Sequence, residues 1–328
     1  MKLHSGLALL FVCSACGSAA PPPAADPSLE EPAASPGAAS VPASNADVEK
    51  GMAALEKQDF AGAKTILEQA RKTDPKDAQA AFYLGVALEG LEDKSGAEAA
   101  YKDAAALDPK LPDAAVNLSQ LLLDKNDAPG ALAVVDAGLK GTPKHPDLLL
   151  NRAVALEASG KKDLALAAYG DAAAARPKDL VLHAAYGGLL SEGGKHKEAV
   201  EQLKLATASD DPALLASVAS MLGKEDAFPD CIAAMDKALG IKKLPALYVR
   251  RGICKDGAKD VKGAAADYEA ALALDPKFAP AHHYYGLNLA PTDKKKALEH
   301  LDQAATLAGE KSIGPEAKKK AAELRGKK

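Results

Sequence analysis

At 328 residues the chain has room for two average domains, but a net charge of -4 with 26% charged residues gives no basic field for nucleic acid to be drawn to. Hydrophobic residues make up 48%, yet aromatics only 4% and there is no Trp, a balance that excludes one thick core and favours thin, alanine-rich helical layers. The charge is uneven: residues 294–328 hold ten Lys/Arg against five Asp/Glu, net +5, which leaves net -9 for residues 1–293. The basic tail reads as a solvated terminal helix or as a site for phosphate or anionic lipid.

Lys2 and His4 precede a short apolar run, Leu7 to Val12, with small residues straight after. That is the order of a secretory signal. Ser14, Gly17 and Pro21 to Pro23 interrupt the run, so it falls short of the roughly 20 apolar residues of a membrane span. Cys13-Ser14-Ala15-Cys16 resembles the lipobox of bacterial lipoproteins, which implies that Cys16 is acylated and becomes the first residue of an anchored protein. Gly17 after it implies sorting to the outer membrane, with the repeats facing the periplasm. Cys13 stands where that family has an aliphatic residue, and ordinary cleavage would instead give a soluble periplasmic or secreted protein. Residues 17–43 are almost wholly Ala, Pro, Ser and Gly, a composition that holds neither a core nor a helix and predicts a disordered linker.

From residue 44 the chain is periodic. Pro75, Pro109, Pro143 and Pro177 fall 34 residues apart. An alanine column keeps the same step at Ala63, Ala97, Ala131, Ala165 and Ala199, and continues as Cys231, Ala264 and Ala297. Seven residues on stand Ala70, Ala104, Gly138, Ala172, Ala206, Ala238, Ala271 and Ala304. Between the two columns lies a mostly bulky one: Leu67, Tyr101, Val135, Tyr169, Leu203, Met235, Tyr268 and Leu301. Spacings of four and three put all three columns on one helix face, where a large knob between small residues lets a second helix come close. Upstream, Gly51, Gly85, Gly187, Gly252 and Gly286 are expected to meet the first alanine column where two helices cross.

Leu84-Gly85, Ala97, Tyr101, Ala104 and Pro109 match the Leu-Gly, Ala, aromatic, Ala and Pro positions of the tetratricopeptide repeat family in order, as do Gly252, Ala264, Tyr268, Ala271 and Pro276. The chain thus resembles that family over residues 44–311. The resemblance implies an all-α superhelical solenoid of about eight helix-turn-helix repeats, starting near Ser44, Ala78, Pro112, Pro146, Leu180, Pro212, Pro245 and Ala279. Units five and six together lack three residues, since Gly187 to Gly252 is 65 rather than 68, so the least regular joint is expected at 208–230. Residues 312–328 are expected to form a capping helix and basic tail, with Pro315 in the first turn and Lys318 to Lys320 on a soluble outer face.

In this family the first helix of each unit lines a concave groove. Carried over unit by unit, that face holds Phe82, Val86 and Glu89, then Val116, Asn117, Gln120 and Leu123, then Leu150, Asn151, Val154 and Glu157, followed by Ala184, Glu192, Val249, Ile253 and Asp256. A mainly apolar trough with scattered acids suits a peptide or helix of a partner protein. Asn117 and Asn151 share one slot in consecutive units; by resemblance they grip an extended peptide backbone, and the alternative is an ordinary surface amide.

Little of the chain reads as chemistry. Cys231 and Cys254 lie on helices expected to touch, so they are either a disulfide or two small packing residues. His282 and His283 point about 100° apart on a helix and cannot share one metal ion; His282 is expected between helices and His283 in the groove. Phosphate loops, nucleophile elbows and paired-His zinc helices are not found, so neither catalysis, nor a cofactor, nor a metal is expected. The sequence therefore points to a scaffold or assembly adaptor, lipid-anchored in the envelope and serving a secretion, pilus or similar complex. The alternative is a polysaccharide-binding or polymer-export module, against which the scarcity of groove aromatics speaks.

Overall fold

The computed structural model describes residues 46–309 and 313–326, which form 17 helices and, among those residues, no strand. The proposed signal, Cys16 and the linker lie outside the described residues. Helices come in pairs. The first four are α1 (Ala46–Glu56) with α2 (Phe60–Thr73), α3 (Ala78–Gly90) with α4 (Lys94–Leu107), α5 (Pro112–Asp124) with α6 (Ala128–Gly141), and α7 (Pro146–Ala158) with α8 (Lys162–Ala175). Four more follow: α9 (Leu180–Glu192) with α10 (His196–Ala206), α11 (Pro212–Lys224) with α12 (Phe228–Ile241), α13 (Pro245–Gly257) with α14 (Val261–Leu274), and α15 (Ala279–Leu289) with α16 (Lys294–Ala308). A single helix, α17 (Gly314–Gly326), closes the series against α16.

Local chemistry sets these boundaries. Five of the eight second helices start on an Asp whose carboxylate accepts from the backbone N–H three residues on: Asp59 from Gly62, Asp93 from Gly96, Asp127 from Gly130 and Asp260 from Gly263, each at 2.9 Å, and Asp293 from Lys296 at 3.1 Å. This N-cap satisfies an amide with no partner inside the helix. From α3 on, first helices start on an Asp cap (Asp77, Asp179, Asp211) or on Pro at their first turn (Pro112, Pro146, Pro212, Pro245, Pro280). Between the helices of a pair the backbone passes through one left-handed residue: Gln58, Glu92, Asn126, Gly160, Gly194, Asp226 and Lys259, with φ from 55° to 74°. Five of the seven are not glycine, although the conformation favours it. The three missing residues have definite places. α10 is 11 residues long where its counterparts have 14 or, in α16, 15, its following loop is one residue longer, and the loop before α13 is one shorter.

The core is a row of layers, one per unit. The alanine columns and the knobs are fully buried, and the largest buried side chains include Tyr101, Tyr169 and Tyr268. The column glycines meet the knobs rather than chiefly the first alanine column. A Cβ on Gly85 would stand 2.5 Å from the Tyr101 ring, on Gly252 2.5 Å from Tyr268, on Gly51 2.6 Å from Leu67 and on Gly187 2.7 Å from Leu203. The remaining units put Ser119, Ala153 and Ala219 there, also buried. On α1, Glu49 and Lys50 occupy the slots that Tyr83 and Leu84 fill in the next unit, so its outward face is polar where α3 presents side chains to α2.

Near the shortened units, helix α13 is tied on both sides. Cys231 and Cys254 form a disulfide between α12 and α13, with Cα atoms 5.9 Å apart. The Arg251 guanidinium donates to Asp267 on α14 through Nε at 2.9 Å and Nη2 at 2.5 Å, and to Asp236 on α12 through Nη1 at 2.6 Å. Lys255 stands 2.8 Å from the same buried Asp267 carboxylate. A fork-shaped donor set of this kind compensates a carboxylate removed from water.

Gly85→Leu forces a side chain into the Tyr101 ring and is expected to destabilise the array by about 1–3 kcal/mol or more. Gly240→Ala on α12, where a Cβ meets nothing within 4 Å, is expected to be neutral or to stabilise by up to about 1 kcal/mol. Urea titration followed by circular dichroism separates the two.

Candidate functional site

First helices of successive units lie against one another (α1 on α3, α5 on α7, α9 on α11, α11 on α13, α13 on α15), while second helices fill the layer behind them. The first helices therefore line the inner face of the solenoid. Phe82, Val86, Leu150 and Val154 are half-buried there, seated on the clusters around Tyr101 and Tyr169. Val116 sits over Val135 and Leu148, and Gln120 is half-buried one turn further on. The Phe82 ring lies 5.8 Å from Tyr101 and 5.1 Å, edge-on, from Tyr83. The wall is thus a strip of apolar side chains presenting part of their surface, with their bodies fixed by the knobs beneath.

Three of its four acids, all but Glu192, occupy one slot. Glu89, Glu157 and Asp256 accept the hydroxyl hydrogens of Tyr101, Tyr169 and Tyr268 at 2.7, 2.6 and 2.7 Å, each across 12 residues. Every unit with a tyrosine knob carries this acid, whereas Leu67, Val135, Leu203, Met235 and Leu301 have Leu55, Leu123, Ser191, Gly223 and Leu289 twelve residues earlier. The reason is physical: a buried phenol needs a partner for its hydroxyl. Burial first, and the neighbouring carboxylate second, push all three phenols well above the ordinary tyrosine value. The repeated spacing of 12 between acid and tyrosine is the signal in the sequence that reveals this pairing.

Asn117 and Asn151 diverge despite their common slot. Asn117 Nδ2 donates to the Tyr101 hydroxyl at 3.3 Å, completing a chain from Asn117 through Tyr101 to Glu89 across two units. For Asn151 the knob of the preceding unit is Val135, which has no hydroxyl. Asn151 is 7% exposed and donates to Val116 O at 3.2 Å and Ser119 Oγ at 2.9 Å. It joins α7 to α5 and its amide hydrogens are turned inward. Asn288 repeats the theme, donating to Asp256 at 2.6 Å and to Val261 O at 3.1 Å.

His282 lies between helices as expected. His283 does not reach the groove: it is 1% exposed, covered where α17 closes the last unit, with Glu316 of that helix 3.9 Å away. No group of three or more metal-ligating side chains occurs among the described residues, and none of the described helices is long and apolar enough to cross a membrane.

The repeating pair, its glycine-to-knob crossing and the inner face of first helices define a tetratricopeptide-type solenoid. Residues 48–112 and 116–180 match the tetratricopeptide repeat family model, and the helix pairs continue in the same pattern to α16. No curated protein matches the sequence. Among solved structures, the chain is similar to a tetratricopeptide repeat protein from Parabacteroides merdae, with 18% identity over 74% of this chain and 98% of that one and a TM-score of 0.49. It is also similar to YrrB, described as having an unusual peptide-binding site, with 20% identity over 56% and 97% and a TM-score of 0.44. A MamA double mutant matches with 18% identity over 50% and 94% and a TM-score of 0.45.

Asn151→Ala leaves Ser119 Oγ and Val116 O without their shared donor and is expected to cost about 1–3 kcal/mol, while Asn117→Ala, at the half-buried end of its chain, costs less; thermal melts of the two variants check the order. Raised tyrosine values favour the folded state, fully so below an unfolded value of about 10, and this stabilisation is lost as pH climbs above it toward the raised folded values. In a spectrophotometric titration, Tyr101, Tyr169 and Tyr268 are expected to ionise only as the helices melt. Phe at all three positions should remove that step.

Proposed function

We propose that this chain is a protein-binding scaffold whose inner face holds a segment of a partner. The observation that carries the reading is the continuous half-buried apolar strip of Phe82, Val86, Val116, Leu150 and Val154 along the first helices. It is framed by carboxylates and amides already oriented by the knobs. Apolar bodies fixed from below lose little side-chain freedom on contact, which favours docking of an amphipathic helix or an extended segment. Gln120, Glu89 and Glu157 supply the polar margin of that strip.

The scaffold works in the bacterial envelope, anchored through acylated Cys16 and held off the outer membrane by residues 17–43, where it supports assembly of a secretion, pilus or comparable complex. Two features favour this setting: the lipoprotein-like amino terminus and the Cys231–Cys254 disulfide, which is the chemistry of an oxidising compartment.

Mass spectrometry of the native protein, crosslinked in its host envelope, tests both parts. The expected result is an acylated amino-terminal Cys16 and one reproducible protein neighbour whose crosslinks vanish in Val86→Asp and Val154→Asp variants of unchanged helicity. An unacylated soluble protein would overturn the anchor. Crosslinks indifferent to both variants, or a glycan in place of a protein neighbour, would overturn the docking face.

A further inference from the structure

Three histidines gather where the last unit meets α17, in a chain with seven in all. His282 and His283 lie on α15 and His300 on α16. His282 Nδ1 and His300 Nδ1 are 2.9 Å apart, and His282 Nε2 is 3.0 Å from Pro276 O. A carbonyl oxygen only accepts, so His282 carries its proton on Nε2 and its Nδ1 accepts from His300 Nδ1–H. The arrangement has one free lone pair at the meeting point, and it is used. Only when both imidazoles are charged do two N–H groups face each other, and the bond between α15 and α16 then breaks.

His283 stands on the other side of α15. It is fully buried, its Nδ1 has no hydrogen-bond partner, and its ring meets Tyr284 edge-on at 5.1 Å. Helix α17 covers it using small side chains, Ala317 and Ala321 with Leu324, laid on Leu301, Ala304 and Ala305 of α16. The Arg325–Asp302 ion pair that also joins α17 to α16 is half exposed, and such pairs add little. The cap is therefore held by a modest apolar contact above an uncharged imidazole.

We propose that α15, α16 and α17 form an acid-released latch, in which protonation of the histidines packed between them opens the cap and the last unit while the preceding units stay folded. The surrounding charges are mixed. Glu316 and Lys320 of α17 face His283 with opposite effects, and burial outweighs both, so its imidazole is held below the ordinary value. His300 is lowered by burial first and by His282 next; Lys296 adds to this, and Glu299 and Glu269 oppose it. A histidine lowered in the folded state gives full stability above its unfolded value of about 6.5, and that stability is lost as pH falls below it. In a stack where each unit touches only its neighbours, such a loss stays local.

Hydrogen exchange of the whole chain at pH 7.5 and 5.0, corrected for the intrinsic rate of exchange, tests the latch. At pH 5.0 the amides of α15 to α17 are expected to lose protection about tenfold for each unit by which burial lowers a histidine, with α3 to α8 unchanged. A His283→Leu, His300→Gln double variant, which lacks the buried imidazole and leaves His282 facing an amide that can either donate or accept, should keep its protection at pH 5.0. Uniform loss along the array, no loss at α15 to α17, or an unaltered response in the double variant would overturn the proposal. If the double variant fails to fold, imidazole titration by NMR in the natural chain decides: midpoints below the ordinary histidine value for His283 and His300, coincident with the opening, support the latch, and midpoints at or above that value refute it.

Discussion

Everything in this molecule depends on how closely two helices cross within a unit. The first helix offers Gly, Ala or Ser at the crossing, the second offers a knob between two small residues, and their separation leaves no room for a further methyl group at Gly85 or Gly252. Interiors are packed to the density of organic crystals, so such a contact is nearly all-or-none. Helices of 11 to 15 residues are marginal alone. The crossing, repeated in every layer and shared with the next unit, is what makes them persist.

From the choice of knob follows much of the polar chemistry on the inner face. An aliphatic knob asks nothing of its surroundings. A tyrosine knob brings a hydroxyl to the far side of the layer, and Glu89, Glu157 or Asp256 waits there to accept it. Asn117 then finds the Tyr101 oxygen within reach. What looks like a decorated binding surface is in part the outer end of the core, so changes in the core and changes in recognition are coupled through single side chains.

The period, the unit starts from Ala78 to Ala279 and the burial of the knobs were all legible in the sequence, because proline, capping Asp and alternation of large and small residues are tied to position along the chain. Other features turn on what stands opposite. Asn117 and Asn151 occupy one column, but one faces a phenol and the other a valine, and only the three-dimensional neighbour decides which way each amide turns. His283 belongs by register to the groove, yet the groove ends where α17 covers it. The left-handed residues were hidden for a different reason: Gln58, Glu92, Asn126, Asp226 and Lys259 carry no glycine to announce them. The amino-terminal features, Cys16 among them, lie outside the described residues and stand as proposals.

The twelve-residue link between acid and tyrosine also constrains how such a chain can be rewritten by recombination. Breakpoints in the loops between units move a knob together with its acceptor, so whole units can be copied, lost or reordered without stranding a hydroxyl. A breakpoint inside a unit, between residue 89 and residue 101 for example, could join a tyrosine to a partner helix of the aliphatic kind, or set an acid against a leucine. The inherited unit is therefore the helix pair rather than the helix, and gene rearrangements that respect it are the ones that leave a foldable product.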